Sequence, residues 1–363
     1  MAIWRVVFLL IALTGCSFPN LTTENPGGPP ARQLLIVAPP GSTPTATPFQ
    51  PSPLTATPLA SLETTLPVPL VTATFAPTEM AEGQSKSWSD YPGPVVWPDI
   101  QVPPPTGILP QPAGQINIML LGSDQRPYES GLRTDTIILL TLNPSAGTAN
   151  LTSFPRDLYV YIPGWTVQRI NTAFGYGGFE MLALTMEYNF GVRPDHYVLI
   201  NLWSFVEVID SLGGIDVEIG QDLCDHRDDH GTYCVQAGPE RMHGETALWY
   251  VRSRYTTSDL DRNRRQQEVV TALFAKLLSV DGLSRAGELY EIYRDNVTTD
   301  MSFEQMTTLL PLAAQLSDFS RIHHYYIGFE QITPWVNYYG AQVLLPIRDA
   351  VLQVMKQSLN SGQ

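Results

Sequence analysis

Charged residues gather at the ends of apolar runs in this chain. Asp124, Arg133, Asp135, Arg156 and Asp157 flank three stretches almost free of charge, and residues 249–267 (WYVRSRYTTSDLDRNRRQQ) hold five arginines: Arg252, Arg254, Arg262, Arg264 and Arg265. The formal net charge is −14, so this positive patch runs against the composition. An arginine turned inward needs an anionic partner, because an unpaired buried charge is expensive. Salt bridges to Asp259, Asp261 or the loop aspartates would satisfy any single arginine; several arginines on converging faces favour a bound polyanion. The chain has 18 Arg and only 3 Lys, and the planar guanidinium fork suits bidentate phosphate contacts. Aspartates at the same edge suit a hard divalent cation, magnesium first and manganese as the alternative, bridging carboxylates and phosphate oxygens. Together these residues point to a pocket for a phosphate or pyrophosphate group and to phosphoryl transfer.

The elements that must position these side chains can be read from the pattern of apolar residues. INIMLLG (116–122) is an apolar run closed by Gly, a buried strand leading to the loop with Asp124. DTIILLTLNP (135–144) is a second strand, entered from the loop that holds Arg133 and Asp135. ANLTSFPRD (149–157) is a third, broken by Pro155 just before Arg156 and Asp157. Short connections make these strands run up, down and up, which brings all five charges to one edge. Residues 177–191 and 201–214 have helical spacing with Gly at their ends, and 195–201 reads as a strand between them, so the sheet should be covered on both faces. In the helix that follows the arginine stretch, Val269, Val270, Leu273, Phe274 and Leu277 form the core face. Stepping back by threes and fours places Gln266 and Arg262 on that face, with Arg265 beside it and Arg264 opposite; Arg252 and Arg254 share one face of an extended segment.

The chain's ends and cysteines speak to its compartment. Arg5, the apolar run Val6–Leu13 and Thr14-Gly15-Cys16 read as a lipoprotein secretion signal (1–15) too short to span a bilayer, with Cys16 the lipidated residue. The protein is expected outside the cytoplasm, held to the membrane by its lipid anchor. Of 31 prolines, 22 precede residue 114, so 16–114 reads as a Pro/Thr-rich disordered tether and 115–363 as one domain. In an oxidising compartment Cys224 and Cys234 are expected to form a disulfide; the competing reading is a metal site with His226 and His230. Nucleic acid is excluded as a partner, since the domain is acidic outside the arginine patch and offers no basic stripe.

The blocks NIMLLGSDQR, LRTDTIILLTLNP, TSFPRDLYVYIPG, RINTAFGYGG, FVEVIDSLGGIDVEI, HGETALWYVRSR and DLDRNRRQQ resemble, in order, the LytR-CpsA-Psr family. The resemblance covers Ile116 to about Val280 and is looser beyond. It implies an α/β fold, an α-β-α sandwich with a central mixed sheet covered by helices on both faces. It also implies an extracytoplasmic phosphotransferase that moves a glycopolymer from a polyprenyl-pyrophosphate carrier to peptidoglycan and leaves a phosphodiester. On this resemblance Asp124 and Asp135 would hold magnesium, and Arg133, Arg156, Arg252, Arg254, Arg262 and Gln267 would grip the pyrophosphate, with Arg169, Arg265 and Gln266 completing the set. The polyprenyl chain would lie in an apolar tunnel between sheet and helices. Asp135 or Asp157 would activate the incoming hydroxyl. Arg169 stands where the family's KIN block carries lysine, the usual transmembrane helix is replaced by the lipobox and tether, and the Cys224–Cys234 segment has the look of an insertion. Two other readings stay open: a pyrophosphatase that releases the glycan phosphate to water, and a non-catalytic regulator that binds carrier lipid.

Overall fold

The structure is a computed structural model that describes residues 85–124, 132–228, 230–279 and 286–360, the side chains of 286–289 excepted. The secretion signal, Cys16 and the tether as far as residue 84 lie outside the described residues. None of the described helices is long and apolar enough to cross a membrane.

Strands β1 (Ile116–Ser123), β2 (Thr134–Asn143) and β3 (Thr148–Ser153) form an antiparallel meander, as the short connections require. The chain then makes a small hairpin from β4 (Tyr159–Tyr161) and β5 (Val167–Arg169), helix α1 (Ala173–Phe190), β6 (His196–Asn201) and helix α2 (Leu202–Ser211). A peripheral lobe follows, in which β7 (Ile215–Ile219) pairs with β10 (Gly238–Met242), while β8 (Leu223–Arg227) pairs with β9 (Gly231–Val235). Helices α3 (Gly244–Arg252), α4 (Asp259–Leu278) and α5 (Ala286–Asn296) lead to β11 (Val297–Thr299). The short helices α6 (Phe303–Thr308) and α7 (Leu310–Gln315) precede β12 (Ile322–Tyr326), the hairpin of β13 (Ile332–Val336) and β14 (Gln342–Pro346), and the last helix, α8 (Arg348–Asn360).

The central sheet has the order β11-β6-β1-β2-β3-β12 and is mixed, with β6 parallel to β1 and β12 parallel to β3. Its inner strands are apolar on both faces because both are covered. Met119, Leu121, Ile137 and Leu139 pack against Leu182, Met186 and Phe190 of α1 and Val351, Met355 and Leu359 of α8. Their alternates Ile118, Ile138, Leu140 and Leu142 face Val270 and Phe274 of α4 and Leu312 and Leu316 around α7. The fold is therefore the expected α-β-α sandwich.

Local signals set the helix ends. Asn201 caps α2, its Oδ1 accepting the Ser204 N–H at 2.9 Å, and Ser258 caps α4 by accepting the Asp261 N–H at 3.1 Å. Helix α1 starts at Ala173, earlier than expected, and bends where Gly178 takes a φ of 65°. It ends at Gly191, whose φ of 71° is left-handed and where a Cβ would come within 2.8 Å of the Gly107 carbonyl.

That close approach brings the segment before β1 onto the domain. Residues 85–114, expected to belong to the tether, pack on the domain. Tyr161 and Tyr188 hydroxyls donate to the carbonyls of Pro92 and Pro103, each at 2.7 Å, and the Tyr159 hydroxyl donates to Asp99 at 2.8 Å. Tyr91 is buried and donates to Glu187 at 2.9 Å. The domain thus includes the last part of the Pro-rich stretch. Composition misread it because proline carbonyls remain good acceptors, and their partners lie far along the chain.

Candidate functional site

The up-down-up meander delivers what the charges need. The C-terminal ends of β1 and β3 and the N-terminal end of β2 lie on one sheet edge, joined by the end of β6, where Asn201 is in register with Ser123. At this edge opens a cavity of about 900 Å³ whose mouth is lined by Asp124, Asp135, Arg156, Arg252, Arg254, Arg262 and Gln266. Its body runs between the sheet face and α2, α4 and α7, past Leu140, Leu142, Val198, Phe205, Phe274 and Leu312. One end is charged and the rest is greasy, so the space suits an amphipathic ligand with an anionic head.

The carboxylates and arginines at the mouth form a short network. Arg156 Nη1 donates to Asp135 Oδ2 at 2.8 Å, and its Nε lies 3.5 Å from Asp157 and 4.0 Å from Asp259. Burial works against the Arg156 charge, but Asp135 first, then Asp259 and Asp157, outweigh it and hold its pKa above the ordinary guanidinium value. Arg262 is nearly buried and grips Asp259 with both terminal nitrogens, at 2.9 and 3.0 Å. Burial, with smaller contributions from Arg156 and Arg254, pushes the Arg262 pKa down against the pull of Asp259. Arg252 and Arg254 are exposed and have no carboxylate partner among the described residues. Arg252 and Arg254 bring to the mouth positive charge that no described carboxylate pairs, and Arg262, whose charge burial disfavours, would gain from an added anion.

Not every expected residue reaches this mouth. Arg265 is fully buried; its Nη2 donates to the Ser253 carbonyl and to Thr257 Oγ1, and its guanidinium lies over Tyr250, 5.6 Å from the ring centre. It therefore anchors the loop between α3 and α4 and is no phosphate ligand. Gln267 is equally buried on another stripe of α4: its Nε2 donates to the Leu151 carbonyl, Ser153 Oγ and the Tyr325 carbonyl, at 3.2, 2.8 and 3.0 Å. Its neighbour Gln266 is the one that lines the cavity, four residues from Arg262 on the same helical face. Asp157 lies outside the lining, held between Arg156 and Arg169, whose Nε is 3.0 Å from it. Arg169 is tied further to the Gln342 carbonyl at 2.7 Å, which makes it a rim residue. Arg133 is exposed beside the mouth, its carbonyl accepting the Asp124 N–H at 3.3 Å, and does not line it. Arg264 pairs with Asp261 at 2.8 Å and with Glu268.

Cys224 and Cys234 are joined by a disulfide across β8 and β9, which removes both thiolates from the alternative metal site. Among the described residues no group of three or more His, Cys, Asp or Glu could by itself hold a metal. Asp124 and Asp135 nonetheless share the mouth, and no described donor reaches the Asp124 carboxylate. Carboxylate oxygens are the donors a hard divalent cation takes, with water and substrate filling its other positions, so these two residues fit such an ion if one binds.

Sheet order, double helical cover and an apolar cavity with an arginine-lined mouth define an α/β sandwich with an amphipathic pocket at the edge of its sheet. The LytR_cpsA_psr family description matches residues 84–353, and the chain belongs to this family. A polyisoprenyl-teichoic acid–peptidoglycan teichoic acid transferase, TagU, from Oceanobacillus iheyensis is 36% identical over 203 residues, 54% of this chain and 62% of that protein. TagT from Bacillus subtilis, given the same activity, is 30% identical over 213 residues, 57% of this chain and 66% of its own length. The chain thus spans somewhat less than two thirds of the curated relatives it matches. Among solved structures, B. subtilis TagV shares the fold with a TM-score of 0.58 at 24% identity, over 68% of this chain and 96% of that one. TagT bound to LIIa-WTA has a TM-score of 0.54 at 25% identity, over 68% and 90%.

Proposed function

We propose that this protein is an extracytoplasmic phosphotransferase that moves a glycopolymer from a polyprenyl-pyrophosphate carrier to a peptidoglycan hydroxyl. The observation that carries the reading is the continuity of a large apolar cavity with a mouth of four arginines and two aspartates. The lipid chain occupies the apolar body, and Arg156, Arg252, Arg254 and Arg262 hold the diphosphate. The acceptor oxygen attacks the phosphorus that carries the glycan, forming the new O–P bond. The bridging P–O bond breaks, and polyprenyl monophosphate leaves with its electron pair. The hydroxyl proton passes to a carboxylate; Asp135 faces the cavity whereas Asp157 is turned to Arg156 and Arg169, so Asp135 is the better placed. Asp124 and Asp135 would hold magnesium, or manganese in its place, whose charge offsets that of the phosphates. Cys16, acylated after export, would anchor the protein to the membrane.

The named activities of TagU and TagT support this reading for the family's core. It is tested by incubating the full-length protein with a polyprenyl-pyrophosphate glycan and peptidoglycan, and analysing products by mass spectrometry. A phosphodiester-linked glycan on the wall, lost in Arg254→Ala, is the expected result. Free glycan phosphate as the sole product would make the protein a pyrophosphatase, and lipid binding without any turnover would make it a receptor.

A further inference from the structure

Arg252 and Arg254 face an exposed mouth, yet a long pair of side chains in solvent holds no fixed geometry by itself. Arg252 is held as the last residue of α3, and what fixes the backbone just beyond it, around Arg254, comes largely from the peripheral lobe. The Tyr255 N–H, next to Arg254, donates to Asp225 Oδ2 at 3.0 Å, and Thr256 Oγ1 donates to the Cys224 carbonyl at 2.7 Å. Asp225 is only 2% exposed, and its other oxygen accepts the His226 N–H at 2.7 Å. From below, buried Arg265 takes the Ser253 carbonyl and Thr257 Oγ1. Trp249 of α3 donates through Nε1 to the His226 carbonyl at 2.9 Å. The loop that presents Arg254 is thus gripped at four successive or near-successive residues, and two of the grips come from the hairpin that the Cys224–Cys234 disulfide closes.

We propose that the disulfide-closed β8–β9 hairpin is a positioning device for the anion site, with Asp225 as the positioning residue that acts through Arg254. Asp225 does not line the cavity and reaches no ligand there. Its role is to hold the 253–257 backbone so that Arg254 stays in reach of the diphosphate. A carboxylate suits this task because its two oxygens accept two backbone N–H groups at once, from Tyr255 and from His226. The inference rests on the proposed diphosphate site, and its test separates the two.

The test is a double-mutant cycle on the full-length protein, with inorganic pyrophosphate as the probe and its affinity measured by calorimetry. Arg254→Ala alone should weaken binding; if it does not, the diphosphate site itself fails. Given that loss, Asp225→Ala should weaken binding about tenfold in the parent and by less than about twofold in the Arg254→Ala background. Equal losses in both backgrounds, or no loss in the parent, would overturn the positioning role. Hydrogen exchange at the Tyr255 amide gives the structural readout: it should speed up in Asp225→Ala while exchange in the β1–β3 core is unchanged. If Asp225→Ala does not fold, Thr256→Val, which removes only the bond to the Cys224 carbonyl, enters the same cycle. It should weaken binding a fewfold in the parent alone; no such background dependence would reject the brace.

Discussion

Asp259 is placed to be costly for stability and yet opposed to ligand binding, which makes Asp259→Asn the most informative single change at the mouth. Its carboxylate accepts both terminal nitrogens of Arg262, at 2.9 and 3.0 Å, and sits 4.0 Å from Arg156 Nε. Arg262 is only 5% exposed in its side chain, so its charge is left largely uncompensated when the carboxylate is neutralised. Breaking a fully buried pair costs about 3–5 kcal/mol, but Asp259 itself is 28% exposed, and water that reaches it reduces the loss to about 1.5 kcal/mol. For a domain of this size that lowers Tm by about 3–6 °C. A diphosphate would then stand in for the missing carboxylate, so added pyrophosphate should raise the Tm of Asp259→Asn by more than it raises the parent's. Calorimetric melts with and without pyrophosphate read both numbers. An unchanged Tm without ligand would refute the buried pairing, and an equal ligand shift in both proteins would refute the mouth as the anion site.

Three other outcomes follow from separate parts of the molecule. Phe274→Trp, which fills the apolar body away from the arginines, should cut affinity for a prenyl diphosphate by about tenfold or more while leaving inorganic pyrophosphate unaffected in calorimetric titrations. His324 donates from Nδ1 to Gln267 Oε1 at 2.6 Å, and burial, then His323, holds its pKa below the usual 6.5. The unfolded chain therefore binds this proton more readily, so stability is lost as pH falls through the unfolded value of about 6.5, and His324→Asn should flatten that fall between about pH 7 and 5.5 in denaturant titrations. Cys16→Ala should abolish labelling by a fatty-acid analogue and release the protein from membranes on fractionation; labelling that persists would reject the lipobox reading.

Much of the fold was legible because its signals are local. The strands 116–122, 135–144 and 149–157 are apolar runs bounded by Gly, Pro and charge, and short turns between them leave few topologies, so the meeting of Asp124, Asp135 and Arg156 at one edge could be expected from the sequence. Helical spacing puts Arg262 and Gln266 on the same face of α4 as Val269, Val270 and Phe274, and that face lines the cavity. It did not settle the role of Arg265, because a residue flanking the core stripe can either reach the mouth or, as here, turn under the neighbouring loop to Ser253 and Thr257. Gln267 was assigned by resemblance alone, and its partners on β3 and β12 are more than fifty residues away in sequence. The same distance hid residues 85–114, whose prolines look like tether until the tyrosines of β4 and α1 are placed against them. Asp225 carried no sequence signal, since its N–H donor from Tyr255 lies across the lobe.

The proposed reaction needs one physical union, an arginine-lined mouth opening directly into an apolar cavity. Calorimetric affinities of the full-length protein for geranylgeranyl diphosphate, inorganic pyrophosphate and geranylgeraniol measure it most directly. The two-part site predicts that the prenyl diphosphate binds at least about a hundredfold more tightly than either half, and that Arg262→Met removes most of that gain. If the prenyl diphosphate binds no better than pyrophosphate or the bare alcohol, mouth and cavity do not form one site, and the proposed reaction has no place to occur.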